Sequence, residues 1–429
     1  MKISDGIRNI QFKGFIEYDF ARGFNLLSEA DALQMESASL YKKIKNTIHH
    51  FCQLLTSIIA PLFVYHYKKT RKSKIIFLLA PPDIQYRRKD IAFLFDQISN
   101  LTKYCDQLSF EYKYLQNISI KRTFFLINLI VFWIIQLRKT KLSVRKKIII
   151  LHELTLLYDY YKLLELLPLY KMAIVFYDAN LYNNFFIQYF KSKKTKTATL
   201  QHGVMVSERP EIKYNLDFKG IEFKGFISDY FLVWNEFTKR EAIKGGVPKS
   251  KIKVLGCAKC IGKKMYTTDF KSNKTLGILL DGIYSSINNE KMIAIIDEFC
   301  NRNDYLYILK YHPAFNGDEY TNRMSKNGSS LPLDSTLEDL INQTEGIVIA
   351  NSTTLFEFLT LNVPFYRFRV DSDTDKFRDL KIPMFSSCTE LEELVQFGWK
   401  NLKEIYDKEI GSEKNVKTQY KKFLLENSL

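Results

Sequence analysis

The feature that most constrains this chain is a rhythm that runs, stops and starts again. From residue 70 onward, short apolar runs rich in β-branched and aromatic residues alternate with longer helical patterns, which predicts parallel sheets joined by crossover helices. In the first set the runs are 74–79 (KIIFLL), 172–177 (MAIVFY), 197–200, 229–233 (DYFLV) and 253–255. A polar, Lys-rich stretch over 262–274 reads as a linker, after which the rhythm resumes at 276–280, 305–310, 346–350 (GIVIA) and 365–368. A chain of 429 residues has room for two cores, and 46% hydrophobic with 26% charged residues fits a globular protein. The expected fold class is α/β, with two Rossmann-like doubly wound domains facing a cleft. Their expected bounds are 71–261 and 274–400, with a helical segment over 1–70 before them and a C-terminal helix over 401–429 packing back on the first half.

Charge is divided unevenly. The net charge is +16, yet residues 1–200 hold 31 Lys and Arg against 15 Asp and Glu, whereas residues 201–429 hold 32 of each. A basic half beside a neutral one predicts an anionic partner on one side, and an anionic membrane surface is the first expectation. A Lys-rich background composition is the other reading. Nucleic acid is not expected, because no recognisable binding motif accompanies the charge. Two apolar stretches, 51–67 and 124–137, are flanked by Lys and Arg and fall short of the ~18–20 apolar residues that crossing a bilayer requires. Each reads either as a helix lying in the membrane interface or as a buried helix. The N-terminus lacks the basic-then-apolar pattern of a cleavable signal, and the six cysteines are scattered. The expected location is cytoplasmic, peripheral at the inner face of the membrane.

In open parallel sheets ligands sit beyond the carboxyl ends of strands, so polar residues at strand ends are the candidates. His202 follows the run 197–200 with Gly203 behind it, and His312 follows 305–310 with Pro313 behind it. An imidazole can take a proton at neutral pH, which makes His202 the candidate general base, with Glu208, Glu236 and Asp281 as carboxylate alternatives. His312 and Lys310 are the candidates to neutralise charge on a leaving phosphate. The cluster Asn351-Ser352-Thr353-Thr354 opens a helix, where hydroxyls, free N–H groups and the helix dipole together favour an anion. Glu357, one turn in, is a candidate acceptor for ribose hydroxyls. Thr354 and Glu357 also match a capping box, a purely structural alternative. Cys257 and Cys260 form a single CxxC without the second ligand pair that zinc requires. No metal site and no cofactor are expected, and Asp371-Ser372-Asp373 reads as a solvated loop.

These motifs in their order resemble a known group. Ala198-Thr199-Leu200-Gln201-His202-Gly203, then 229–235 with Gly246-Val247-Pro248 and Lys253-Val254-Leu255-Gly256, resemble the N-terminal half of bacterial capsule and surface-polysaccharide transferases of the GT-B type. Lys310-Tyr311-His312-Pro313 and Ala350-Asn351-Ser352-Thr353-Thr354, with Glu357 and Pro364, resemble their donor-binding half. The group is similar to the glycerophosphotransferases of teichoic-acid synthesis and, more distantly, to polysialyltransferases. A paired-acid-plus-glycine motif of the latter is missing, since Leu280-Asp281-Gly282 has one acid, which counts against sialic acid transfer.

The resemblance covers about residues 170–370. It implies a nucleotide-activated sugar donor on the second half, with His312, Ser352 and Thr353 on its phosphates. It also implies an oligosaccharide or lipid-linked acceptor on the first half, with His202 as base. The expected activity is metal-independent, inverting glycosyl transfer to a surface polysaccharide. Glycerophosphoryl transfer, nucleotide-sugar 2-epimerisation and a non-catalytic glycan-binding or export scaffold are the alternatives.

Overall fold

The computed structural model describes residues 40–61, 63–70, 73–79, 89–112, 119–178, 181–201, 203, 206, 226–263, 266, 273–281, 286–312, 320–371, 375–397 and 415–428. Its first half is a seven-stranded sheet in the order β1-β3-β2-β4-β5-β6-β7. The strands are β1 (Phe63–Lys68), β2 (Ile75–Leu79), β3 (Cys105–Tyr112), β4 (Met172–Phe176), β5 (Lys196–Leu200), β6 (Tyr230–Val233) and β7 (Ile252–Val254). All pairings are parallel except β1 with β3. Neither β1 nor β3 was expected from the apolar rhythm, because both alternate with polar residues.

Every residue of β2 and β4 is buried, as a parallel strand with covered faces requires. Their side chains alternate between two layers. Ile76, Leu78, Ala173 and Val175 meet α3 (Ile120–Arg138), α4 (Val144–Leu164) and α5 (Leu181–Ser192), with α1 (Leu40–Ile59) outside them. Ile75, Phe77, Met172 and Ile174 meet α2 (Lys89–Ser99) and α11 (Val416–Ser428), the last helix of the chain. The chain thus returns from the second half to cover the first, with Phe423 edge-on to Tyr230 at 5.7 Å.

The second half is a six-stranded sheet, β10-β9-β8-β11-β12-β13, parallel throughout. Its strands are β8 (Thr275–Leu279), β9 (Leu306–Lys310), β10 (Gly328–Ser330), β11 (Gly346–Ile349), β12 (Phe365–Phe368) and β13 (Met384–Phe385). On one face lie α7 (Ser286–Asn303) and α10 (Cys388–Phe397), on the other α8 (Leu337–Ile341) and α9 (Thr354–Leu361). In each sheet the strand order reverses beside the first parallel strand: β3 and β4 flank β2, and β9 and β11 flank β8. These are the topological switch points where doubly wound sheets open a crevice. Two Rossmann-like parallel-sheet domains are therefore present.

The stretch over 51–67 is not one element. Pro61 has no N–H for a helical bond, α1 ends at Ile59, and the chain turns into the edge strand β1. The stretch over 124–137 is the body of a 19-residue helix, α3, longer than its apolar letters suggested and apolar enough by length and composition to cross a bilayer. It divides by face: Leu126, Leu129, Ile130, Trp133 and Leu137 are buried, and the opposite side is open.

Candidate active site

The two halves meet through one continuous core. Trp234 and Phe237, after β6, pack with Leu355, Phe356 and Phe377 of the second half, and the Phe237 and Phe356 rings lie 5.7 Å apart. Cys257 and Cys260 are buried in the same layer, and burial raises the Cys257 thiol well above its usual range. Around this core run ionic ties: Lys244 to Asp379 at 3.5 Å, and Lys259 and Lys263 to Glu357 at 3.5 and 3.8 Å.

Above that core the strand ends converge. Asp281 follows β8 and Asn351 follows β11, and the Asn351 N–H donates to Asp281 Oδ2 at 3.0 Å, spanning the switch point of the second sheet. The backbone of Asp281 is held in turn by Asn289, whose amide exchanges two bonds with it at 3.1 and 3.0 Å. Burial raises the Asp281 carboxyl above the usual carboxylate range, against the Asn351 N–H and the nearby Lys376 and Arg367 charges. Of the three strand-end residues, His312, beyond β9, is exposed, and Asp281 is buried between its two neighbours. A buried ion pair supports the far side: Arg367 on β12 is fully buried against Asp375, and its guanidinium lies 5.2 Å from the Phe377 ring centre.

The turn from Asn351 to Thr354 is half-buried and lined with hydroxyls. Ser352 Oγ donates to Thr354 Oγ1 at 3.0 Å and accepts the Thr354 N–H at 3.3 Å. Thr353, the residue before α9, has helical backbone angles and makes no side-chain cap bond. The capping box expected from Thr354 and Glu357 is not formed, since helix α9 already starts at Thr354 and Glu357 points to Lys259 and Lys263. Glu357 is thus a buried partner of two cations from the first half.

The first half reaches this cluster through β5. Gln201 is fully buried and uses its whole amide: Nε2 donates to the Gly203 carbonyl at 2.8 Å and Thr238 Oγ1 at 3.1 Å, and Oε1 accepts the Trp234 N–H at 2.7 Å. Those bonds set the turn after β5. A Cβ built on Gly203 would stand 3.5 Å from Thr353 Oγ1, so the strand-end turn of one half abuts the hydroxyl cluster of the other.

His202, Glu208 and Pro313 lie outside the described residues. Glu236 stands at the start of α6 (Glu236–Lys244), paired with Lys239 at 2.9 Å. The Lys310 amine donates to the Ser335 carbonyl at 2.6 Å, and burial pulls its pKa down. Sequence reading assigned no role to Gln201, Lys259, Lys263 and Asp375. Gln201 carried a signal, as the residue beside His202 at a strand end. The lysines carried none, because their partner is 94 to 98 residues away. Among the described residues, no group of three His, Cys, Asp or Glu is placed to hold a metal.

No protein-family model and no curated protein sequence matches this chain. Solved structures do. The S. aureus MnaA–UDP co-structure is similar with a TM-score of 0.51 at 10% identity, over 82% of this chain and 95% of that one. A UDP-N-acetylglucosamine 2-epimerase from Rickettsia bellii gives 0.48 at 13% identity, over 83% and 96%. A variant of the wall teichoic acid polymerase TagF gives 0.46 at 12% identity, over 91% and 98%. At such identities the likeness is one of fold. Together with the strand order it gives this chain the GT-B fold of two Rossmann-like domains.

Proposed function

We propose that this chain is a metal-independent, inverting glycosyltransferase that passes a sugar from a nucleotide-activated donor to a growing surface polysaccharide. The observation that carries the reading is the approach of the Gly203 turn to Thr353 across the two halves. On this reading the donor diphosphate sits at the second switch point, on the Ser352 and Thr353 hydroxyls and the positive end of α9. His312 neutralises charge on the leaving phosphate, and Asp281 holds the Asn351 turn in place. His202 takes the proton of the acceptor hydroxyl, whose oxygen bonds to the anomeric carbon as the bond to the diphosphate breaks. The nucleoside diphosphate departs from the opposite face.

The second reading, a UDP-sugar 2-epimerase, is favoured by the fold likeness to the MnaA–UDP co-structure. Melting the protein with CMP, CDP, UDP, GDP and TDP in turn identifies the nucleotide, because a ligand at ~100 times its Kd stabilises the native state by ~2.7 kcal/mol. The corresponding nucleotide sugar is then followed by NMR. Turnover only when a glycan acceptor is added supports transfer, and a C2 epimer formed without acceptor supports epimerisation. Stabilisation by none of the five nucleotides would overturn both readings in favour of a non-catalytic glycan-binding scaffold.

A further inference from the structure

On the outer face of the first half, two helices present apolar stripes to the outside. Along α1, Ile44, Ile48, Phe51, Leu55 and Ile59 recur at helical spacing, each 45–57% exposed. Along α3, Ile120, Phe124, Ile127, Val131, Ile134 and Ile135 do the same at 37–74% exposure. Both helices lie against α4, whose residues from Ile149 to Tyr158 are all buried. Arg122 joins the three: its guanidinium reaches Asp159 of α4 at 2.7 Å and the Ser57 and Ile58 carbonyls of α1 at 2.7 and 3.1 Å. Thr123 adds a bond to the Ile59 carbonyl at 3.3 Å. The two stripes therefore belong to one braced unit, and an exposed apolar patch this long on a monomer marks an interaction surface.

Charge identifies the partner. Residues 37–82, which contain α1, hold 8 Lys and Arg and no Asp or Glu, and residues 112–152, which contain α3, hold 9 and none. The exposed Lys45, Lys121, Arg138, Lys139 and Lys141 lie on these helices or at their ends. Apolar stripes with acid-free, cationic flanks match a bilayer interface carrying anionic headgroups. A second copy of the chain would bring the same cationic patch against itself, which repels. Crossing the bilayer is at odds with the other face of α3, where Trp133 is fully buried and Arg122 is bonded to α1 and α4.

We propose that α1 and α3 form a monotopic docking face that lies in the interface of an anionic membrane, independently of which reaction the cleft performs. Cys52 supplies a native reporter: it is exposed beside the α1 stripe, and the other five cysteines are buried. With an environment-sensitive dye on Cys52, vesicles of phosphatidylcholine containing one third phosphatidylglycerol should shift the emission to the blue and float the protein. Neutral vesicles, or ~1 M salt, where screening shortens to ~3 Å, should lower the bound fraction at least tenfold. Leu55→Glu with Val131→Glu should do the same at unchanged melting temperature, whereas Leu333→Glu, an exposed apolar position of the second half, should leave binding intact.

Three results would overturn the proposal. Equal binding to neutral vesicles removes the anionic partner. A Cys52 thiol that does not react in the native chain means that residues 1–39 cover the face. A dimer by sedimentation that the double variant dissociates, without vesicle binding, means that a second copy does.

Discussion

The two halves wind their sheets alike and differ in what their outer layers face. In both, a central parallel strand is flanked by the strands that follow it on either side, so both open a crevice at the carboxyl edge. In the second half the layers are closed: among the described residues only Ile287, Leu306 and Leu333 are large, apolar and exposed, and they are scattered. In the first half eighteen such residues are exposed among the described residues, twelve of them on two helices. The comparison separates two properties that share one fold. Sheet winding sets where a crevice opens, and the helices added outside the sheet set what surface the protein presents.

Four measurements can break or sharpen that separation. The largest effect is expected at the cleft. His202→Ala should lower turnover by ~10²–10⁴-fold, the usual contribution of a positioned proton-transfer group, with donor affinity nearly unchanged. Near-normal turnover would move the base to a carboxylate, with Glu236 and Asp281 the described alternatives. Next is a test of how firmly the second half is held together. Asp375→Ala strands the buried Arg367 charge and should destabilise the fold by about 3–5 kcal/mol in urea unfolding. A loss below 1 kcal/mol would mean that water reaches the guanidinium.

Ser352→Ala with Thr353→Ala should leave the melting temperature in place and weaken nucleotide binding. Each charge-assisted bond lost is worth about 1.5–3 kcal/mol, readable by calorimetry. Unchanged affinity would make the cluster a structural turn only.

The smallest effect concerns pH. Burial raises Asp281, so the native state holds that proton more tightly than the unfolded chain does. Its contribution to stability therefore rises as pH falls through its native pKa toward the ordinary ~3.9, opposite to a salt-bridged carboxylate. Asp281→Asn should flatten that slope while keeping an acceptor for the Asn351 N–H. An identical pH slope in the variant would assign the dependence elsewhere.

Much of the fold was legible in the letters because buried parallel strands read as continuous apolar runs. The runs 74–79, 172–177, 276–280 and 346–350 each contain the central part of an observed strand. β3 (CDQLSFEY) was not legible, since it alternates polar with apolar and pairs with β1 at the edge of the sheet. The Asn351–Thr354 turn was legible as a strand end before a helix. The ion pairs of Glu357 were not, because its partners Lys259 and Lys263 come from the other half.

By itself the sequence determined what depends on neighbours along the chain. That includes the apolar strand periods, the break at Pro61, the strand-end positions of Asp281, His312 and Asn351, and the confinement of excess positive charge to the first 200 residues. Only the tertiary structure decided which strand ends share a switch point, that Asp281 braces the Asn351 turn, and that Gly203 abuts Thr353. It alone also divided α3 into a face that packs on α4 and a face left open. Hydrophobic burial is indifferent to direction, so an apolar helix looks the same in sequence whether protein or lipid covers it. Packing assigns one face to the core, and that assignment depends on residues far away in the chain.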